Sequence, residues 1–188
     1  MKKEILLFLK CVIVCVTVFS GCRKNDDIEP QSDKPVFRIG QSYGGGVVFY
    51  VDQSGLHGLV VDTLNQIGTR QWCTGTPVTT NATATALGKG AENSITIVNT
   101  QGQGNYAAYE CNSLVLNGYD DWFLPAKEEL NLIYQQKAAG KINGLTEDFY
   151  WSSTEISTSG AWSQSFTNGA NSSTNKPGNY GVCAIRIF

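Results

Sequence analysis

The chain has 188 residues, of which 41% are apolar and 16% are charged, and its formal net charge at pH 7 is −2. This length suits one domain with a hydrophobic core and is too short to expect two. The weak negative charge argues against the clustered basic face that nucleic acid normally meets. His57 is the only histidine, which excludes zinc enzymes that take two or three histidines from one chain.

Residues 1–21 are typical of a secretory signal peptide and are not expected to form part of the folded domain. Two early lysines precede an apolar stretch, residues 5–19, that is too short and too interrupted to span a membrane. A pair of small residues then stands directly before Cys22. This order resembles the lipobox of bacterial lipoproteins, which implies that Cys22 becomes the lipidated first residue of the mature chain. The alternative is an ordinary secretory signal with an incidental cysteine.

Residues 22–35 predict a flexible stalk, because they combine two prolines and mixed charges with almost no apolar side chains. The charged cluster Arg23–Asp27 resembles the surface-export signal of lipoproteins in some Gram-negative lineages, and the alternative is a solvated tether. Together with acylation of Cys22, for example by palmitate, the cluster implies a protein anchored by lipid in the outer membrane and exposed at the cell surface.

Residues 36–188 have the pattern of one α+β domain. Residues 47–51 and 57–62 are apolar, β-rich runs separated by a short polar segment, and they predict a hairpin. The glycines of Gly44–Gly46 precede a strand and not a helix, so a phosphate-binding loop is rejected. Residues 73–105 lack clear periodicity and predict a long ordered loop, the kind of segment where binding surfaces often lie.

Two helices are predicted in the middle of the chain. Helical spacing predicts one over residues 106–116. The second begins with Pro125 at its first position and ends at Gly140. Further short strands are predicted over residues 149–153, 161–166 and 181–188. The expected architecture is two helices packed on twisted antiparallel β-sheets.

Three cysteines remain in the predicted domain, namely Cys73, Cys111 and Cys183. In an oxidising compartment they allow one disulfide and one leftover thiol. A Cys111–Cys183 bridge would join a helix to the last strand, and a Cys73–Cys111 bridge is the alternative. The absence of a Cys-x-x-Cys pair from the sequence argues against metal or redox chemistry at these thiols.

Three motifs carry a resemblance to a known family. They are Gly118–Leu130, Tyr150–Glu155, and the stretch from Ala161 through Gly169 that continues at Ala184–Phe188. Over about residues 37–188 they resemble the bacterial domain family named for the C-terminal domain of a collagen-like adhesin (Lcl C-terminal-like). The resemblance implies a C-type-lectin-like fold whose N- and C-terminal strands pair. It also implies an extracellular binding or adhesive module, which in the named adhesin binds glycosaminoglycan.

The sequence departs from the family pattern at two positions. Ala126 stands where the family usually has Ser or Thr, so the following helix lacks a capping hydroxyl, at a cost of about 1 kcal/mol. Cys183 stands where Arg is expected, which weakens the transfer of a basic ligand contact to this position.

The acidic and hydroxyl side chains of the motifs predict neither a metal site nor catalysis. No cofactor is predicted, because the acidic residues lack the spacing of a calcium loop, and a structural calcium is the alternative. Ser152–Glu155 lacks the Gly-x-Ser-x-Gly elbow of serine hydrolases, so its hydroxyls are predicted to form buried hydrogen bonds. The acidic residues are Asp120, Asp121, Glu128 and Glu129.

Aromatic and apolar residues at the boundaries of these elements predict core packing rather than a ligand box. They are Trp122, Leu124, Pro125, Tyr150 and Trp151.

Residues 157–180 are the candidate binding region, because they combine aromatic rings with many amide and hydroxyl groups, the chemistry of adaptable binding surfaces. The candidate ligand-binding residues are Trp162, Gln164, Asn168, Asn171, Ser173, Asn175, Lys176, Asn179 and Tyr180. The expected partner is an extracellular glycan or protein, with no nucleic acid and with membrane contact only through the lipid anchor.

The leading functional hypothesis is a non-enzymatic, surface-anchored lipoprotein with an adhesin-like or receptor-like domain. Three alternatives stay open: an enzyme related to the formylglycine-generating lectin-like folds, a receptor diversified by a retroelement, and a structural protein of the envelope. The enzyme alternative depends on a reactive cysteine pair, for which the sequence shows no matching motif.

Overall fold

Residues 36–146 and 148–188 are the part of the chain that the computed structural model describes, and they contain nine strands and three helices. The predicted signal peptide, the predicted stalk and Cys22 lie outside the described residues. The α+β class is confirmed. In chain order the elements are β1 (Ser42–Tyr43), β2 (Gly46–Val51), β3 (Gly58–Val61), β4 (Thr69–Arg70), α1 (Gly90–Gln101), α2 (Ala107–Asn112), α3 (Lys127–Ala138), β5 (Phe149–Glu155), β6 (Gly160–Ser165), β7 (Asn171–Asn175), β8 (Tyr180–Gly181) and β9 (Ile185–Ile187).

The first sheet has the strand order β1-β2-β3-β9 and is antiparallel throughout. It contains the predicted hairpin, which is confirmed as the β2–β3 pair. The expected pairing of the N- and C-terminal strands is wrong, because β9 pairs with β3 and lies at the opposite edge from β1. The segment before β1 and the residue after β9 meet through their side chains instead, since the ring centroids of Phe37 and Phe188 lie 4.7 Å apart.

The second sheet has the strand order β4-β8-β5-β6-β7, with a parallel contact between β5 and β8. Strand β7 is therefore an edge strand that pairs with β6. The indole N–H of Trp151, on β5, donates to the carbonyl oxygen of Arg70 at 2.9 Å. The indole N–H of Trp72 donates to the carbonyl oxygen of Ser152 at 2.8 Å. These bonds tie the segment around β4 to the central strand of the sheet.

Helix α1 occupies residues that the sequence pattern predicts to be loop, so that prediction is wrong for residues 90–101. The buried positions follow helical spacing, but three of the four carry glycine or polar side chains rather than apolar ones. The amide of Asn93 donates to the carbonyl oxygen of Ala84 at 2.7 Å, and the Ser94 hydroxyl both donates to and accepts from Leu124 backbone groups. The buried residues are Gly90, Asn93, Ser94 and Ile97.

The two predicted helices are present, with shifted boundaries. Helix α2 is shorter than predicted and ends at Asn112. Helix α3 begins at Lys127 with Ala126 as its N-cap, so Pro125 lies before the cap and not at the first helical position. Gly140 follows the end of α3 with a φ of 70°, which places the predicted terminator in the left-handed region that glycine favours. No helix in the described part of the chain is long and apolar enough to cross a membrane.

The predicted core residues are confirmed. Trp122, Leu124, Pro125, Tyr150 and Trp151 are all buried. The hydroxyls that follow on β5 form the buried hydrogen bonds that were predicted. The Ser152 hydroxyl donates to the carbonyl oxygen of Trp162 at 2.9 Å, and the Thr154 hydroxyl donates to that of Ala84 at 2.8 Å.

The predicted disulfide is wrong for the described residues, where Cys73, Cys111 and Cys183 are free, buried thiols. Cys111 packs in a hydrophobic cluster with Trp72, whereas Cys183 packs in a second cluster with Phe49. Cys73 packs in the same cluster as Cys111. Its sulfur lies 4.0 Å from the carbonyl oxygen of Gly75. The thiols are thus built into the apolar core as separate side chains.

Candidate binding face

Strands β6 and β7 place five of the nine candidate residues on one side of the second sheet. Their antiparallel register sets Trp162 opposite Ser173, and Gln164 opposite Asn171. Directly opposite residues in such a pair project from the same side of the sheet. Asn175, two residues beyond Ser173, shares that side because side chains alternate along a strand. Gln164, the fifth, is fully buried, so we define the β6–β7 face as Trp162, Asn171, Ser173 and Asn175 together with the neighbouring Lys127.

A cation lies over the half-buried Trp162 ring of the β6–β7 face. The Lys127 ammonium is 4.4 Å from the centroid of that ring. Lys127 is the first residue of α3, and its backbone N–H donates to the hydroxyl of Thr154 at 3.1 Å. Its side chain is 25% exposed, so the ring and the cation are partly desolvated together. Such a contact contributes on the order of 0.5–2 kcal/mol and holds both groups in place.

The outer strand of the face is a polar edge. Asn171, Ser173 and Asn175 are exposed, while the alternating Ser172 and Thr174 are half-buried. The hydroxyl of Thr174 lies 2.7 Å from that of Ser163, which joins the two strands on the other side of the sheet. An edge strand leaves backbone N–H and C=O groups on its outer side available to another chain. The edge therefore offers both side-chain and backbone hydrogen-bonding groups.

Two candidate residues are buried and cannot contact a ligand. Gln164 is fully buried, and its amide nitrogen donates to Asn131 at 2.9 Å and to the carbonyl oxygen of Gly169 at 3.0 Å. Lys176 is also fully buried. The composition of the segment does not reveal these positions, because burial depends on strand register and on the elements that pack above it. The prediction that Gln164 and Lys176 bind ligand is wrong.

Lys176 belongs instead to a buried ion pair with Glu155. The ammonium donates to the Glu155 carboxylate at 2.5 Å and to the carbonyl oxygen of Val78 at 2.7 Å. The same carboxylate accepts the backbone N–H groups of Thr80 and Asn81. Burial alone raises the pKa of Glu155, but the bonds from Lys176 and the two amides outweigh it and leave that pKa below its ordinary value. The pair holds the loop that precedes α1 against the ends of β5 and β7.

The remaining candidates are separated from the β6–β7 face or lie at its end. Asn168 is exposed in the turn between β6 and β7, where its side chain accepts the backbone N–H of Ala170 at 3.0 Å. Asn179 is exposed beside β8, and Tyr180 on β8 packs edge-on against Trp151 with ring centroids 4.9 Å apart. Strands β5 and β6 lie between β8 and β7. The structure therefore does not bring Asn179 and Tyr180 to the face.

Lys127 is the member of the face that the sequence did not identify. It lies in the Gly118–Leu130 motif at the start of a predicted helix, and 35 residues separate it from Trp162. Nothing in the linear pattern pairs these two positions. Their contact follows from the packing of α3 on β6, which also brings Asn131 to Gln164.

The four acidic residues considered for calcium are engaged elsewhere or dispersed. The Asp121 carboxylate accepts two bonds from Arg186, at 2.6 and 2.9 Å. Glu129 is buried and accepts backbone N–H groups, whereas Glu128 is exposed. Within residues 36–146 and 148–188, no three His, Cys, Asp or Glu side chains gather where they could hold a metal ion.

Comparison with known proteins identifies the family of this chain. The chain is similar to the crystal structure of a fimbrial protein from Bacteroides ovatus ATCC 8483, with a TM-score of 0.43 and 16% sequence identity over 70% of this chain. The match spans 36% of the fimbrial protein. No curated protein matches the chain. Residues 60–186, well over half of the chain, match the Lcl C-terminal domain family, and the chain belongs to that family.

Proposed function

We propose that this protein is a non-enzymatic, adhesin-like binding protein of the cell surface, held by lipid at Cys22, whose β6–β7 face binds an extracellular protein. The observation that carries the proposal is the Trp162 ring beneath the Lys127 ammonium, beside the exposed row of Asn171, Ser173 and Asn175. Membership of a family named for the C-terminal domain of Lcl supports a surface role. We further propose that the fold is C-type-lectin-like, supported by the return of the last strand to the first sheet.

The shape of the face favours a protein partner over a saccharide. An edge strand such as β7 can extend its sheet into a partner strand through backbone hydrogen bonds. Small saccharides bind instead in recesses where a ring and several hydrogen-bonding groups converge. A tryptophan beside a row of exposed polar side chains also fits the aromatic anchors that dominate many protein interfaces.

The chemistry of the cysteines supports a non-enzymatic role. The thiolate is the reactive form of cysteine. Burial raises the pKa of Cys73, of Cys111 and of Cys183 above the ordinary value. All three thiols therefore stay protonated at neutral pH, which disfavours the enzyme alternative that needs a reactive cysteine pair.

The lipid anchor is tested by replacing the acylated residue. Cys22→Ser is expected to abolish incorporation of a palmitate analogue and to release the protein from the membrane fraction, because no other cysteine stands at the predicted cleavage site. Cys73→Ser is the matched control, since a buried thiol is not an acylation site. Equal labelling of Cys22→Ser and the unaltered chain would contradict the anchor.

The face is tested with an array that carries extracellular-matrix proteins together with neutral, sialylated and sulfated oligosaccharides. The full chain is expected to bind at least one matrix protein. Trp162→Ala and Ser173→Arg are expected to weaken that binding at least tenfold, because they remove the ring or place a bulky charge in the row. Ser113→Arg, which adds the same charge at an exposed position outside the face, is expected to leave the affinity unchanged.

Three outcomes of the array would contradict the proposal. They are an absence of matrix-protein binding, binding that Trp162→Ala and Ser173→Arg leave intact, and loss of an oligosaccharide signal alone in those two variants. Thermal unfolding of each variant shows whether a loss of binding reflects a loss of fold.

A further inference from the structure

Among the strands of the described residues, β7 is the longest that lies at an edge of its sheet. The edges of the first sheet are β1, with two residues, and β9, with three, and the opposite edge of the second sheet is β4, with two. Strand β7 has five residues and pairs with β6 over all five without a register shift. Short edge strands and β-bulges are among the features that keep other chains from pairing with an edge. Strand β7 has neither of these protections.

The side chains of β7 also leave its edge unprotected. Its sequence, Asn-Ser-Ser-Thr-Asn, contains no charged residue and no proline, the two kinds of residue that commonly prevent pairing at an edge. The lysine that follows, Lys176, is fully buried in its ion pair with Glu155 and is not exposed at the edge. The opposite edge of the sheet, by contrast, carries Arg70 on β4. Nothing in the sequence of β7 therefore repels a second strand.

The pairing with β6 determines which backbone groups of β7 point outward. Residue pairs along an antiparallel ladder alternate between pairs that exchange hydrogen bonds and pairs that do not. At one end of this ladder the backbone N–H of Ser165 donates to the carbonyl oxygen of Ala170 at 2.8 Å. At the other end the backbone N–H of Lys176 donates to the carbonyl oxygen of Ser159 at 2.9 Å. Both bonds place the backbone groups of the even-numbered positions of β7 toward β6, so those of the odd-numbered positions point away from the sheet.

The outward backbone groups belong to Asn171, Ser173 and Asn175, the residues whose side chains form the exposed row of the β6–β7 face. The carbonyl oxygen of Asn175 accepts the backbone N–H of Gly178 at 2.9 Å, in the turn that follows β7. Within the described part of the chain, no hydrogen bond uses the other five outward groups, which are the three N–H groups and the carbonyl oxygens of Asn171 and Ser173. They repeat along the strand at every second residue, which is a spacing of about 6.6 Å.

A second extended backbone is the ligand that matches this row of outward groups. The N–H and C=O groups of an extended segment also repeat at every second residue, so each outward group of β7 meets a complementary group. A helical segment cannot offer such a row, because its backbone groups bond to one another within the helix. The row therefore favours a partner that presents a strand-like segment whose own edge is unpaired.

We propose that the extracellular protein bound at the β6–β7 face adds an extended segment to β7 as the next strand of the second sheet. The inference rests on the proposed function and names the part of the partner that is recognised. The backbone groups of Asn171, Ser173 and Asn175 bond to the segment. Side chains of the segment that lie opposite these residues project on the same side of the sheet as Trp162. Because the bonds are made by backbone groups, the conformation of the segment matters more than its sequence.

Proline substitutions separate the contribution of the β7 backbone from that of its side chains. Ser173→Pro and Asn171→Pro each remove one outward N–H and leave the bonds to β6 intact, since proline is tolerated at sheet edges and at the first residue of a strand. Each proline variant is expected to bind the matrix protein found on the array at least tenfold more weakly than Ser173→Ala or Asn171→Ala, the matched control at its position. Thermal unfolding identifies a variant that has lost its fold, and the other proline variant then remains informative.

Amide exchange followed residue by residue by NMR provides a second measurement on the full chain. In the free chain, the outward amides of Asn171, Ser173 and Asn175 are expected to exchange faster than those of Ser172 and Thr174, which bond to β6. Saturation with the same matrix protein is expected to slow the three outward amides at least tenfold and to change the two inward amides less.

Two results would overturn strand addition while leaving the proposed function intact. In the first, each proline variant binds as its alanine control does, although Trp162→Ala and Ser173→Arg weaken binding. In the second, saturation slows the inward amides as much as the outward ones.

The same variants also report on the other outcomes. Self-association of the full chain in sedimentation that Ser173→Pro abolishes would assign the edge to a second copy and overturn the inference. An absence of matrix-protein binding contradicts the proposed function itself, and the inference fails with it.

Discussion

Lys176→Met is expected to lower the free energy of unfolding by about 3 to 5 kcal/mol. The substitution keeps the apolar volume but leaves the buried Glu155 carboxylate without its cation and the Val78 carbonyl oxygen without its donor. An unpaired buried charge is strongly destabilising because it has lost its hydration and gains no compensating partner. Denaturant unfolding of the purified domain at neutral pH measures the effect.

Three controls show whether the lower unfolding free energy of Lys176→Met comes from the buried ion pair. Lys89→Met removes an exposed lysine that pairs with Glu92 on the surface, and its expected effect is below about 1 kcal/mol. The double variant Glu155→Gln with Lys176→Met is expected to be more stable than Lys176→Met alone, since no unpaired charge remains. A loss in Lys176→Met no larger than that in Lys89→Met would contradict the buried ion pair.

Acidification supplies the third control. The folded-state pKa of Glu155 lies below its ordinary value of 4.5. The ionised carboxylate therefore stabilises the fold at pH values above 4.5. This stabilisation is lost as the pH falls from 4.5 through the folded-state pKa. In Lys176→Met, protonation instead relieves an unpaired charge. The stability gap between the unaltered chain and the variant is therefore expected to narrow as the pH falls, first as the unpaired carboxylate of the variant takes up a proton and then, below about pH 4.5, as the unaltered chain loses its ion pair.

Glu129→Ala is expected to cost about 2 to 4 kcal/mol of unfolding free energy. The buried carboxylate accepts the backbone N–H of Gly88 at 2.8 Å and that of Ala126 at 2.7 Å. Removing it leaves both donors without an acceptor, at about 1–3 kcal/mol each when they are fully buried. Burial raises the pKa of Glu129 more than the amide bonds lower it, so part of the loss is offset by removal of a desolvated charge.

The adjacent glutamate provides a matched control for Glu129→Ala. Glu128 is exposed and lies 4.0 Å from the Lys127 ammonium, so Glu128→Ala is expected to change the unfolding free energy by less than about 1 kcal/mol. Glu129→Gln keeps one acceptor oxygen and is expected to lie between the two. Equal stability of Glu129→Ala and Glu128→Ala would show that the carboxylate does not join the start of α3 to the loop before α1.

Helix α1 shows why part of the fold cannot be predicted from the sequence pattern. Its buried positions 90, 93, 94 and 97 have helical spacing, but a search for apolar periodicity recognises only Ile97. Gly90 is required by close packing, since a Cβ there would lie 2.3 Å from the Glu129 carboxylate. The β2–β3 hairpin and α3 were predictable because alternating or helical apolar patterns and glycine terminators mark them locally.

The candidate face was predictable as a segment but not residue by residue. Composition alone indicates Asn171, Ser173 and Asn175 as candidates. Strand alternation places all three on one side of the sheet once the register is known. The same composition also indicates Lys176, which is buried in an ion pair with Glu155. Lys127 was missed because its contact with Trp162 is a tertiary contact between a helix and a strand.

Hydrogen–deuterium exchange of the full chain, alone and saturated with the matrix protein it binds on the array, tests the central claim most directly. Partner binding at the β6–β7 face is expected to slow amide exchange in residues 160–175, most strongly along the edge strand Asn171–Asn175. Exchange in the β2–β3 hairpin, residues 46–61, is expected to stay unchanged. Slowed exchange confined to segments other than 160–175, or no change on saturation, would contradict the assignment of this face as the binding surface.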